Sequence, residues 1–160
     1  MKASRILVVA GEARRKSRAT VRALGASGRP RVELHGRRML YVITLRPLFF
    51  RSSTPEQRLE TVVHELYHLS AKFDGSLERS RKHSVLGLRA YRREIRPLVR
   101  RYLEQCPPEL YAMLSYDGEV AVRQWLERPT RGSDRTYTET SFFLGPVRMK
   151  TARLRPADLN

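Results

Sequence analysis

At 160 residues the chain is long enough for one domain with a buried core and too short for two of ordinary size. Hydrophobic residues at 41% and charged residues at 30% are ordinary for a globular protein and argue against pervasive disorder. Lys plus Arg outnumber Asp plus Glu 32 to 16, and a net charge of +16 attracts polyanions such as nucleic acid, acidic proteins or anionic lipid surfaces.

In chain order, ILVVA at 6–10 predicts a strand; five apolar residues are too few for a signal-peptide core or a membrane span, so no membrane association is expected. Ala13, Ala19, Val21 and Leu24 suit a short amphipathic helix within 12–28, before the turn residues Ala26-Ser27-Gly28-Arg29-Pro30. Val32 and Leu34 alternate with polar neighbours, and MLYVITL at 39–45 is rich in β-formers. With His35-Gly36-Arg37-Arg38 between them, the two runs read as a hairpin.

A helix start follows. Thr54 caps, Pro55 suits the first helical position and Gln57 stands at the reciprocal capping-box position. Leu59, Val62, Val63, Leu66, Leu69 and Ser70 then share about a third of the circumference, with His64 and His68 nearly opposite and a stop expected at Asp74-Gly75. A second helix is expected from Ser84 to Gln105, bent or broken near Pro97, with an apolar stripe of Leu88, Tyr91, Ile95, Leu98, Val99 and Tyr102. Arg89, Arg92, Arg93, Arg96 and Arg100 form a basic stripe beside it. Cys106, the single cysteine, excludes an intrachain disulfide and a four-thiolate metal site, which fits a reducing cytoplasm. Short helices follow over 109–115 and 118–127. This division predicts a domain over 1–128 and a weakly patterned segment over 129–160 holding one strand, Tyr137 to Leu144, and a tail.

The stretch TVVHELYHLS at 61–70 carries the chemistry. Two histidines four apart on a helix point the same way and can converge on one zinc ion at about 2.0 to 2.1 Å. Glu65 projects about 100° around the helix from His64, where it reaches a water at the metal without ligating it. With four histidines and twelve glutamates, chance alone would place H-E-x-x-H in under about one such sequence in a hundred, so surface histidines are the weaker reading. A catalytic zinc needs a third protein ligand and an open position. His83, beyond a loop long enough to fold back, is the first choice. Asp74 is the alternative, since HELYHLSAKFD follows H-E-x-x-H-x-x-G-x-x-H/D except for Ala71 in place of glycine. His35 and Glu78 rank below both. For a hydrogen-bond donor to the reacting oxygen the candidates are Tyr67, Tyr91, Arg79 and Arg81, although Tyr91 also fits a core position.

YVITLRPLF before the helix, TVVHELYHLSAKFDG within it, His83 after it, then Tyr91 and LVRRYL at 98–103 together resemble the phage metallopeptidase family. These are small zincins related in plan to the SprT-like metalloproteases, and the resemblance covers roughly residues 39–105. It implies an α+β, minimal zincin-like fold: a small antiparallel or mixed sheet packed on the HExxH helix, with C-terminal helices. It further implies His64, His68 and His83 as ligands of Zn2+, Glu65 as general base, and a protein or peptide substrate. The basic stripe supports a different expectation, a nucleic-acid-associated protein in which the zinc site is secondary, or a protease acting on DNA-bound protein. A three-histidine RNA hydrolase fits less well, because Glu65 lies inside the paired-histidine motif.

Overall fold

The computed structural model describes residues 3–11, 17–25, 31–85, 87–116, 118, 120–125, 140–144 and 147–154. The fold is mixed α+β. A six-stranded sheet runs in the order β2 (Ala19–Ala23), β5 (Tyr41–Leu45), β1 (Ile6–Ala10), β6 (Val120–Trp125), β8 (Val147–Leu154), β7 (Thr140–Leu144). β1 is parallel to β5 and β6, while β2 on β5 and the β6–β8–β7 ladder are antiparallel. Among the described residues the α-helices lie between β5 and β6: α1 (Pro47–Ser52), α2 (Pro55–Tyr67), α3 (Leu88–Gln105) and α4 (Pro108–Ser115).

β5 is buried along four of its five residues, as a strand covered on both faces must be. On one face Val42 joins Leu7, Val9, Leu24, Val32 and Met39; on the other Tyr41 joins Leu40 and Leu69, with Leu66 of α2 packed against them. α2 packs against β2, α3 and α4, so it lies sandwiched between sheet edge and outer helices. Its start is as expected: Thr54 accepts from the Gln57 N–H and the Gln57 side chain accepts from the Thr54 N–H.

Several expectations are corrected. Within 12–28 the described residues, 17–25, hold strand β2 and no helix; the β-branched pair Thr20 and Val21 favours extension, and β5 offers an unpaired edge. Ala13 lies outside the described residues. The hairpin is shorter than expected: β3 (Glu33–Leu34) and β4 (Arg37–Arg38) close on His35 and Gly36 at φ 50° and 69°, and the apolar run leaves to join β1 and β2. Burial on both faces rewards Tyr41–Leu45 more than pairing with a two-residue partner would.

α2 stops at Tyr67 instead of continuing to Asp74-Gly75. The chain reverses: Leu69 bridges Leu77, Ser70 donates to the Ser76 carbonyl and Glu78 donates to the His68 carbonyl. Gly75, at φ 87°, serves this reversal and not a helix cap. The hydroxyl of buried Tyr41 accepts from the Gly75 N–H and donates to the Ser76 carbonyl, which ties the reversal to the sheet.

α3 begins at Leu88, not Ser84, and runs through Pro97 without a break. Pro97 and Arg93, the residue whose carbonyl its ring releases, are both exposed. The buried row follows Tyr91 and Ile95 on to half-buried Val99 and Leu103; Leu98 and Tyr102, expected in the stripe, are 45% and 40% exposed. Of the two short helices, Pro108–Ser115 forms, but 118–127 yields strand β6, where Val120 and Val122 recur with the period of a strand. β7 falls inside the expected Tyr137 to Leu144. The segment read as a tail carries β8, an eight-residue strand that finds partners on both sides in β6 and β7.

Candidate metal centre

The end of one helix and a single loop bring three histidines together. His64 sits in the last turn of α2 and His68 caps it at φ −73°, ψ −14°, where its N–H reaches the Glu65 and Leu66 carbonyls. His83 arrives from a loop that follows a single 3-10 turn, Arg79–Arg81. That loop is pinned to the end of α2 by the Glu78 N–H on the His68 carbonyl at 2.9 Å and by the Arg81 guanidinium on the Tyr67 carbonyl at 3.0 Å.

The His83 Nε2 lies 3.2 Å from the His64 Nε2 and 3.3 Å from the His68 Nε2. A tetrahedral zinc with nitrogen ligands at about 2.0–2.1 Å requires nitrogens about 3.3–3.4 Å apart, so His83 stands from each helical histidine close to the spacing that ion imposes. The cluster is able to hold a metal ion, and it is the one group of three or more metal-ligating side chains among the described residues. His68 is buried, His64 half-buried and His83 exposed, which leaves one side of the cluster open to solvent.

The electrostatics suit a cation. Burial, then the neighbouring His68, His83 and Arg18, holds His64 down at about 4; burial, then His83, lowers His68. Both rings are therefore neutral at pH 7, with lone pairs available to a metal. Glu65, 6% exposed, is pushed up to about 7 by burial, against the opposing effect of the Val21 backbone N–H from β2. A carboxyl poised there exchanges a proton readily at neutral pH.

Tyr91 of α3 closes the cluster from behind the exposed face. Its ring stacks on His83 at 5.0 Å and approaches His64 at 4.2 Å, and its hydroxyl lies 3.0 Å from the His68 Nε2. Burial, with the Glu65 and Tyr67 charges, raises the phenol far above its ordinary range, so it is a neutral donor.

Asp74, the alternative ligand, is outside the cluster. Its Oδ1 accepts from the Ser76 hydroxyl at 2.6 Å and the Ser76 N–H at 3.0 Å, and the hydroxyl holds its carboxyl below the usual range. His35 is exposed in its turn, and Glu78 accepts from Ser80. Of the oxygen-donor candidates, Tyr67 lies under the Arg81 guanidinium, which is itself spent on the Tyr67 carbonyl, and Arg79 is exposed on its turn. The role of Arg81 in holding the third histidine was not legible in the sequence; its single signal is a cation a few residues before His83. Arg89, Arg92, Arg93, Arg96 and Arg100 are all exposed on α3. They share an arc of about 100° over about 16 Å of helix.

No helix among the described residues is long and apolar enough to cross a membrane. Comparison of the chain with family models, curated proteins and solved structures finds no match.

Proposed function

We propose that the chain is a zinc-dependent metallopeptidase, a small zincin of the kind that its HELYH stretch resembles, with His64, His68 and His83 as ligands and Glu65 as general base. One observation carries this reading: the His83 Nε2 close to tetrahedral spacing from the Nε2 atoms of both helical histidines, with the buried Glu65 between those two histidines in sequence. Zinc, when bound, supplies Lewis acidity, lowering the pKa of a coordinated water towards 7 and polarising a carbonyl. Glu65 takes the proton from the attacking water and returns it to the leaving amine. Burial between β2 and α2 keeps it from relaxing into solvent. His83, exposed, marks the side from which a peptide enters.

The test is metal analysis with a casein cleavage assay. One zinc per chain, with cleavage falling by at least about a thousandfold in Glu65→Gln while the zinc stays, is the expected result. A chain without bound metal at neutral pH overturns the reading.

A second reading, compatible with the first, assigns nucleic acid as a partner. The exposed arginine arc on α3 favours it, although Arg96 and Arg100 also line a groove shared with Glu56, Glu60 and Glu104. The arc lies on the far side of the helix that supplies Tyr91, about 150° around it, so a bound polyanion would tether the chain near protein substrates carried on nucleic acid without lying at the metal centre. Cleavage stimulated by added DNA or RNA, with a stimulation that fades as salt rises, is the expected result. Rates indifferent to nucleic acid count against it.

A further inference from the structure

The metal ligands account for three of the groups in the cluster, and Glu65 for the base. Neither uses Tyr91, the most buried polar side chain there at 1% exposure. Its hydroxyl is 3.0 Å from the same His68 Nε2 that points at the metal position. That separation is close to those between the ligand nitrogens, 3.2 and 3.3 Å, so the phenol oxygen touches the cluster at the His68 nitrogen.

A neutral phenol offers one proton, and a His68 Nε2 left unprotonated, as a metal ligand must be, can accept it on its lone pair. A metal takes that lone pair, and the proton loses its acceptor. The other oxygen in reach, the His64 carbonyl at 3.4 Å, offers only a long contact. The ring cannot swing far, being packed against His64 and His83 with Tyr67 at its edge. The donor therefore stays fixed at the cluster with only the long bond to the His64 carbonyl, which a closer oxygen can displace.

We infer that the Tyr91 hydroxyl is a catalytic residue that donates a hydrogen bond to the scissile carbonyl oxygen as that oxygen gains negative charge. The inference rests on the metallopeptidase reading and adds to it the group that receives the developing charge. Among the four donors suggested by sequence, Tyr91 alone touches a ligand nitrogen. A preorganised donor aimed at a developing oxyanion contributes about 10²–10³ in turnover, and a phenol held by packing requires no reorganisation when the charge appears.

The experiment compares wild type, Tyr91→Phe and a chain carrying 4-aminophenylalanine at position 91, which keeps an N–H donor. The probe is phenylphosphonate, a tetrahedral anion, titrated calorimetrically into zinc-loaded protein. Tyr91→Phe should keep one zinc per chain, bind the phosphonate at least about tenfold more weakly, and cleave casein with kcat about a hundredfold lower and KM within about twofold. The amino analogue should restore most of the phosphonate affinity. In wild type labelled at tyrosine 13Cζ, one of the seven tyrosine signals should shift with phosphonate only when zinc is present. Equal phosphonate binding by Tyr91→Phe, loss of its zinc, or seven unmoved signals in wild type each overturns the inference; zinc loss would mean that the hydroxyl merely holds His68. If wild type binds zinc and Glu65→Gln is inactive, such a failure leaves the metallopeptidase reading standing.

Discussion

The Arg81 guanidinium donates to the Tyr67 carbonyl at 3.0 Å and lies 4.3 Å over the ring of the same tyrosine. Tyr67 ends α2, so the cation meets an unpaired carbonyl at the negative end of a helix and an aromatic face at once. His83 is two residues further on. The loop that carries the third ligand is thus fastened to the helix that carries the other two. We expect Arg81→Ala to weaken zinc binding about tenfold while far-UV circular dichroism stays unchanged, measured by competition with a chelator. Arg81→Lys should recover part of the loss, since an ammonium reaches the carbonyl but lacks the planar fork. Unchanged affinity in the alanine variant would show that Glu78 on His68 holds the loop alone.

The Glu65 carboxyl gives a pH signature in the metal-free protein. Its folded pKa of about 7 lies above the ordinary 4.5, so between these values the folded chain binds more protons than the unfolded one. Its contribution to stability is full below 4.5 and is lost as pH rises through 7. His64 runs the other way: held at about 4 against 6.5, it costs stability as pH falls from 6.5 to 4. Glu65→Gln should therefore stabilise the metal-free protein at pH 8, by at most about 3 kcal/mol, and give no gain at pH 4. Urea unfolding at the two pH values checks this, and equal gains at both would remove the titration from the account. Zinc, a nearby cation, lowers the carboxyl pKa and should shrink the gain.

The difference between what the sequence disclosed and what it hid follows from the range of the forces involved. The capping box of Thr54 and Gln57 and the pairing of His64 with His68 are set within one or two helical turns, and both are visible in the local pattern. His83 was legible as a residue type at a usable distance, not as a position. Its placement depends on the Leu69–Leu77 bridge, a contact between residues that no periodicity links. β2 and β6 read as helices from the local pattern because the pairing that extends them comes from β5 and β8, each some twenty residues or more away in sequence. Tyr91 was ambiguous for a physical reason: a tyrosine on an apolar stripe is buried whether its hydroxyl serves packing or chemistry.

The reversal after α2 rests on two glycines in contact. A Cβ on Gly75 would lie 2.8 Å from the Gly25 Cα, and a Cβ on Gly25 the same distance from the Gly75 Cα. Gly75 adds φ 87°, which side chains disfavour. Gly75→Ala should cost about 2–3 kcal/mol and lower Tm by roughly 5–10 °C in a thermal scan. Gly25→Ala should cost less, having the clash without the strain. Because both substitutions strike the same contact, the double variant should lose less than the two losses added. Strict additivity would place the two glycines in independent sites.

Removal of metal should test the ligand set through stability, independently of any activity. A metal bound only by the folded chain stabilises it by RT ln(1 + [L]/Kd), about 4 kcal/mol when free zinc stands at a thousand times Kd. For a chain of this size that is roughly 10 °C in Tm. Chelation should therefore lower the Tm of wild type by about that amount. His83→Ala leaves two histidines on one helix, too few to hold zinc firmly against solvent, and its Tm should no longer respond to chelator. Asp74→Ala loses its contacts with Ser76 but no ligand, so its Tm should start slightly lower and still fall on chelation by the wild-type amount. The opposite pattern, in which Asp74→Ala abolishes the chelator response and His83→Ala keeps it, would transfer the third ligand to Asp74 and require the 70–76 reversal to open when metal binds.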